Sequence, residues 1–189
     1  MSRSLVASGV MRTLLTVILL AAGLSLASPS VFPENAGFAN LGFGRGLVAL
    51  AGAEFVLPVE IFDASAGLTV HSNFTDDLGL RLSGSALLFP AVGTTPPLAL
   101  GLGADLGYSS QRGFNFHLGP LVGTDLLFSL DLPMTVSAYL GLGYAANTGL
   151  SLAWAAQLRY YFELEGEDVA IELSSSDLAL LSLGVRVFF

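Results

Sequence analysis

The residues of this sequence that could carry out chemistry are two histidines, each followed by a hydroxyl or an acid. His71 directly precedes Ser72, and His117 precedes Asp125 in the same segment. A histidine activates a nucleophile only when the two side chains can share a hydrogen bond. Successive side chains of an extended strand point to opposite faces, so His71 and Ser72 could not form such a pair. We predict that His117 joins a network of polar side chains, and no catalytic residue is assigned.

Sequence motifs for cofactors and metals are missing as well. The sequence has no cysteine, so neither a disulfide framework nor a thiolate metal site is available. The acidic stretch 163–168 lacks the spacing of a calcium loop and is typical of a solvated loop. The sequence contains no GxSxG, HExxH, phosphate-loop or dinucleotide motif, and the GLG triplets at 101–103 and 141–143 precede no predicted helix. We therefore predict no enzymatic activity, no cofactor and no metal, and binding residues stay unassigned.

The composition indicates a membrane protein without spanning helices. Of the 189 residues, 53% are hydrophobic and only 12% are charged, with a mean hydropathy of +0.71. Ordinary soluble domains carry charge on about a quarter of their residues. After residue 30 no run of about 18 uninterrupted apolar residues is present to form a spanning helix. The other backbone arrangement that satisfies its own hydrogen bonds in lipid is a closed β-barrel, and this is the predicted fold.

The N-terminal residues are typical of a secretory signal peptide. Arg3 and Arg12 precede the apolar stretch 14–24, which is too short to span a membrane comfortably, and Ser25-Leu26-Ala27 fits a cleavage site. We predict a signal peptide over residues 1–27, with a retained anchor helix as the alternative. Without Arg3 and Arg12, five arginines remain against fifteen acidic residues, a net charge near −10. This charge argues against nucleic acid as a partner.

Alternation of apolar and small residues marks the predicted strands. In segment 98–108 the even-numbered positions are mostly leucine and end with Tyr108, whereas the odd-numbered positions hold only Ala, Gly and Asp. A barrel with an outer face in lipid and a narrow interior has this pattern. The same alternation recurs in the segments 46–57, 64–71, 78–88, 114–127, 134–144, 150–163 and 179–189. We predict an all-β, antiparallel up-and-down barrel.

The predicted number of strands is eight, with ten as the alternative. Residues 168–174 could form a further strand, but bacterial single-chain barrels have even strand numbers. A ninth strand there would require a tenth near residues 36–45. The preferred organisation has an N-terminal periplasmic segment at 28–45, a barrel at 46–189 and a long outside loop at 164–178.

The last strand carries a resemblance to a known class of protein. Leu183, Val185, Val187 and Phe189 alternate with Gly184, Arg186 and Phe188, and the chain stops on an aromatic residue. Together with the signal peptide and the alternating strands, this resembles the small outer-membrane β-barrel proteins of double-membraned bacteria. In that family the barrel-assembly machinery reads such a terminal strand. The resemblance implies an outer-membrane location, with membrane lipid and the assembly machinery as partners, and is compatible with a monomer.

The predicted inner face contains charges of both signs. The residues concerned are Glu54, Arg81, Asp105, Asp125, Arg159, Glu163 and Arg186. Buried charges must be paired to be tolerated, so we predict a network that fills the interior. This favours a structural or envelope-interaction role without a conducting pore.

Three alternatives to a structural role in the outer membrane are compatible with parts of the sequence. The first is a small porin-like channel, which would gain from a larger strand number because the lumen widens with it. The second is an outer-membrane enzyme that modifies lipids or cleaves peptides, for which His71, Ser72 and His117 are the candidate groups. The third is a soluble barrel, which would have to expose rows such as Leu98, Leu100 and Leu102 to water.

The terminal strand yields the first testable prediction. Deleting Phe189 should lower the amount of folded barrel in the membrane without changing export, because the signal peptide acts before the terminal strand does. Unpaired backbone groups in lipid cost several kcal/mol each, so a barrel that fails to close should not accumulate. Heat-modifiable mobility on gels measures the folded fraction, and Arg186→Ala serves as a comparison that perturbs the interior. Normal levels of folded protein without Phe189 would remove this support for the family resemblance.

Overall fold

The computed structural model describes residues 32, 34–59, 62–89 and 98–189, and the predicted signal peptide at 1–27 lies outside the described residues. The described part of the chain forms ten strands and one short helix. The strands are β1 (Ala36–Phe43), β2 (Leu47–Leu57), β3 (Ala64–Ser72), β4 (Leu78–Phe89), β5 (Leu98–Ser109), β6 (Gly113–Asp125), β7 (Met134–Ala145), β8 (Gly149–Leu164), β9 (Glu167–Ser176) and β10 (Leu181–Phe188), and the helix is α1 (Leu127–Leu130). Among the described residues, no helix has the length and apolar character needed to cross a membrane.

The ten strands close into one antiparallel barrel. Each strand pairs with its neighbours in the chain, and β1 pairs with both β2 and β10. Because the strand number is even, both ends of the barrel sequence lie at the same end of the barrel, which we call the terminal end. The connections at 44–46, 73–77, 110–112, 146–148 and 177–180 lie at the opposite end, which we call the loop end.

The all-β closed barrel is confirmed, and its strand number is the alternative count of ten. All eight predicted segments are strands, and β1 and β9 are added to them. The barrel therefore begins at Ala36 rather than at residue 46, inside the predicted N-terminal segment 28–45. The predicted long loop at 164–178 contains β9, which follows β8 through a tight turn at Glu165 and Gly166, both with positive φ.

Local features of the sequence explain why β1 and β9 were not among the eight predicted strands. In β1 both faces carry small and apolar residues, with Phe38 inside and Leu41 outside, so the alternation is weak. In β9 the alternation is present, but the acidic residues that precede it indicated a loop. A two-residue hairpin turn tolerates such residues, because charged side chains at a turn remain in solvent.

The predicted inside and outside faces are confirmed along most of each strand, but Asp125 and Glu163, which were predicted inside, lie at the rim. In β5, Leu98, Leu100, Leu102 and Leu106 are exposed on the outer face, whereas the odd-numbered residues are buried inside. The outer surface of the barrel is consequently apolar and its inner surface is mixed.

Two apolar clusters fill part of the interior. Phe38, Val48 and Leu50 pack with Ala179, which lies on the connection between β9 and β10. The second cluster contains Ala99, Leu121, Tyr139, Ala153 and Ala155, and Phe32 from the segment before β1 packs against it. Residues outside the strands thus contribute to the packing of the interior.

The face assignment leads to a second prediction. Leu102→Arg would place a charge on the outer face near the middle of β5, which in a bilayer costs about 2–4 kcal/mol at the midplane. Gly103→Ser, on the inner face, should have a milder effect because a hydroxyl can find polar partners there. Urea unfolding in lipid vesicles, followed by the fluorescence of the single tryptophan, Trp154, measures both variants. A larger loss for Gly103→Ser would contradict the face assignment.

Candidate functional site

A group of five charged side chains crosses the barrel interior, and we call it the central ion network: Glu34, Glu54, Arg159, Glu172 and Arg186. Arg186 donates from Nη1 to Glu54 Oε2 at 2.7 Å and from Nη2 to Glu172 Oε2 at 3.3 Å. Arg159 donates from Nε to Glu172 Oε2 at 3.1 Å. All of these side chains except Glu34 are at most 2% exposed. Their charges are therefore compensated within the barrel and not by solvent.

The remaining contacts of the central ion network involve Glu34 and neutral side chains. Arg159 Nη1 lies 3.1 Å from Glu34 Oε2, and the hydroxyl of Tyr161 donates to Glu34 Oε1 at 2.8 Å. Asn40 donates from Nδ2 to Glu172 Oε1 at 2.8 Å. The guanidinium of Arg186 lies 4.5 Å from the centre of the Phe38 ring, within the range of a cation–π contact. These contacts give both arginines several partners inside the barrel.

A second polar group lies on the wall formed by β5 to β8, and we call Asp105, His117 and Ser151 the Ser151 triad. His117 Nδ1 lies 2.8 Å from Asp105 Oδ1, and His117 Nε2 lies 2.5 Å from Ser151 Oγ. The hydroxyl of Tyr139 donates to Asp105 Oδ2 at 3.2 Å. The side chains of Asp105 and His117 are fully buried. The predicted role of His117 in an interior hydrogen-bond network is therefore confirmed.

An open cavity of about 570 Å³ lies at the loop end, and we call it the loop-end basin. Its lining includes Arg45, His71, Asp77, Arg112 and Asp177. His71 Nε2 lies 3.3 Å from Asp77 Oδ2. The basin is slightly larger than a cavity of about 520 Å³ at the terminal end.

Asp177 links the basin to the barrel wall. Its carboxylate accepts hydrogen bonds from Arg81 Nη2 at 3.1 Å and from Arg112 Nη1. Burial alone would raise the pKa of Asp177, but the guanidinium groups of Arg81 and Arg112 lower it below its ordinary value. Asp177 therefore stays charged at neutral pH and fixes the connection between β9 and β10 at the mouth of the barrel.

The structure separates several residues that the sequence suggested together. The side chain of Ser72 accepts a hydrogen bond from the backbone of Phe74 and does not contact His71, as predicted. Asp125 lies at the terminal end, where it accepts a hydrogen bond from the backbone of Leu127, so it does not pair with His117. Glu163 is exposed near the turn after β8. Asp125 and Glu163 are therefore outside the interior networks, because their strands reach the rim at these positions.

Some interior residues were missed from the sequence. The sequence pattern could have identified Glu172 as an interior residue, because it lies on the polar side of the alternation in 168–174. Ser151 lies on the small and polar side of the alternating segment 150–163, but nothing in the sequence indicates that His117 reaches it. Glu34 and Asp177 lie on connecting segments, where no periodicity shows which way a side chain points. Among the described residues, no cluster of His, Asp and Glu could hold a metal ion.

Comparisons with known proteins add a likeness in shape only. No protein-family model and no curated protein matches the chain. It is similar to the solved structure of the KdgM porin, at 11% identity and a TM-score of 0.47, over 82% of this chain and 99% of that chain. It is also similar to the KdgM porin in complex with disordered oligogalacturonate, at 13% identity and a TM-score of 0.43, with the same coverage. The assignment as a closed ten-stranded barrel rests on the strand pairing of this chain.

The central ion network leads to a third prediction. Glu172→Ala should destabilise the folded barrel by about 3–5 kcal/mol, because it removes a buried carboxylate that accepts hydrogen bonds from both Arg159 and Arg186. Glu167→Ala, an exposed position on the same strand, is the matched control and should change stability little. Urea midpoints of the refolded barrels give the comparison. Equal midpoints for the two variants would show that the buried carboxylate contributes no net stability.

Proposed function

We propose that the chain is an integral outer-membrane β-barrel whose interior is filled, with a structural or envelope-interaction role. The first support is the outer surface. Leu102, Leu118 and Leu142 lie on neighbouring strands and are each exposed by 45% or more. Soluble monomers rarely expose contiguous apolar patches larger than a few hundred Å², whereas a lipid-facing barrel requires such a band.

Aromatic residues near both barrel ends support the same proposal. Exposed outer-face aromatics near the loop end are Tyr108, Phe114, Phe116 and Tyr144, and those near the terminal end are Phe55, Tyr160 and Phe189. Phe55 and Phe189 contact each other edge to face, with ring centres 6.0 Å apart. Aromatic girdles at the two water interfaces are typical of outer-membrane barrels. The assembly machinery is the expected partner of the terminal strand during biogenesis.

The observation that carries the non-conducting role is the central ion network. Arg159 and Arg186 extend from β8 and β10 to carboxylates on other strands, and their side chains are almost fully buried. Ions crossing the barrel would have to displace paired charges that have few water contacts. A filled interior leaves the outer surface and the loop end as the parts available for interactions in the envelope.

A porin-like channel for small solutes is the second candidate. Ten strands enclose a wider lumen than eight. Cavities open at both ends, the loop-end basin and a cavity of about 520 Å³ at the terminal end that includes Glu34 and Tyr161 in its lining. A channel would need the central ion network between them to leave a continuous water path.

Conductance distinguishes the two candidates and gives a fourth prediction. Barrel purified from the outer-membrane fraction should show little or no current in planar bilayers. The double variant Glu54→Ala/Arg186→Ala removes both partners of one ion pair and should produce discrete steps, because space is gained without leaving an unpaired charge. Leu142→Ala, on the outer face, is the control and should remain silent.

Two results would contradict the proposal. Stable single-channel steps in the wild-type protein would favour the channel. Recovery of the protein in the soluble periplasmic fraction would exclude the membrane location.

A further inference from the structure

The Ser151 triad is built from one lateral row of the barrel wall. Asp105 on β5 is the register partner of His117 on β6, His117 is the partner of Gly143 on β7, and Gly143 is the partner of Ser151 on β8. The row therefore crosses four neighbouring strands at one height. Three of its positions carry polar side chains and the fourth carries none.

Gly143 is the reason that His117 can reach Ser151. Any side chain at Gly143 would stand in this row, and a Cβ there would overlap the backbone of Phe116 and lie 2.8 Å from Cα of His117. Without a side chain at this position, the imidazole passes over β7 and approaches Ser151 Oγ at 2.5 Å. A glycine on the intervening strand β7 thus allows a histidine on β6 to contact a serine on β8.

The contacts fit the tautomer of His117 that carries its proton on Nδ1. An ionised carboxylate can only accept, so Nδ1 donates to Asp105 Oδ1. In this tautomer Nε2 carries no proton and can accept the hydrogen of the Ser151 hydroxyl. Tyr139 donates to the other oxygen of Asp105, and Arg81 Nε lies 3.7 Å from the same carboxylate.

We propose that Ser151 is a nucleophile for acyl transfer, with His117 as its general base and Asp105 as the positioning residue. This goes beyond the proposed envelope role and replaces the expectation from the sequence that the protein has no enzymatic activity. The geometry meets the criterion for an activated serine, in which the nucleophile, the base and the orienting acid are joined by successive hydrogen bonds. Unlike the two buried members, Ser151 is partly exposed.

The reaction would be hydrolysis of a carboxylic ester. Ser151 Oγ attacks the carbonyl carbon while its proton passes to His117 Nε2, and the alcohol leaves with that proton. Water then attacks the acyl-serine, gives one proton to His117, and releases the acid as the serine regains its hydrogen. Ser151 does not itself line the loop-end basin, but it lies near the loop-end start of β8, and Thr148 and Trp154 on either side of it in the chain do line the basin. The proposed substrate is therefore a small ester that enters from that end.

Other interior serines provide the comparison for a purely structural role. Among the described residues, Ser137 makes no hydrogen bond with a histidine. Its hydroxyl Oγ donates to Gln157 Oε1 at 3.4 Å. Ser65 and Ser85 bond to each other at 2.8 Å. These hydroxyls have partners but no base, so they should remain unreactive. If the hydrogen bonds of Ser151 only fill the interior, it should behave as they do.

The test is covalent labelling of the full folded chain in detergent with a small dialkyl fluorophosphate, followed by peptide mass analysis. One adduct on Ser151 is expected, with loss of fluoride, and Ser151→Ala should carry none. His117→Gln should react about 100-fold more slowly, as expected for loss of a general base. Ser137→Ala is the matched control and should label like the wild type. Hydrolysis of 4-nitrophenyl acetate should follow the same order.

Several outcomes would overturn the proposal. They are the absence of an adduct at Ser151 in the folded barrel, equal labelling of Ser137, or an unchanged labelling rate in His117→Gln. Heat-modifiable gel mobility confirms that each variant is folded before labelling. Conductance and labelling are measured separately. Absence of labelling would therefore not contradict the filled-barrel proposal, and conductance by the wild type would not contradict the labelling result.

Discussion

Pairing of β1 with β10 is the contact on which the rest of the molecule depends. An open ten-stranded sheet would leave two edges of unpaired backbone groups, and closure removes both. Closure also builds the interior, because Glu54 on β2 and Arg186 on β10 lie on either side of β1 and meet only when β1 joins the two strands. Backbone pairing and the central ion network are thus formed by the same event.

The interior polar groups are arranged by strand register. A shift of one residue would turn Arg159 or Arg186 to the outer face and leave their carboxylates buried without partners. The same requirement applies to the Ser151 triad, whose members lie on β5, β6 and β8. The polar interior therefore favours the native register over shifted registers. The uniformly apolar outer face discriminates between registers less sharply.

A β-barrel of this kind is compatible with many functions, so function depends on the interior and the barrel ends. In the proposals made above, the central ion network fills the middle of the lumen, whereas the loop-end basin gives small molecules a way toward the Ser151 triad. These two features are compatible, because a site near one mouth requires access from that side only. The interior can be filled at its centre and still hold a reactive group near the loop end.

The sequence alone was sufficient for the closed all-β barrel, for eight of its strands and for the faces of most of their side chains. Period-two alternation depends on local chain geometry, so it can be seen without the fold. The tertiary structure was needed for β1 and β9, whose alternation is weak or preceded by acidic residues, and for the positions of Glu34 and Asp177 on connecting segments. It was also needed to pair His117 with Asp105 and Ser151 and not with Asp125. Strand register decides such contacts, and register is a property of the closed sheet rather than of any one segment.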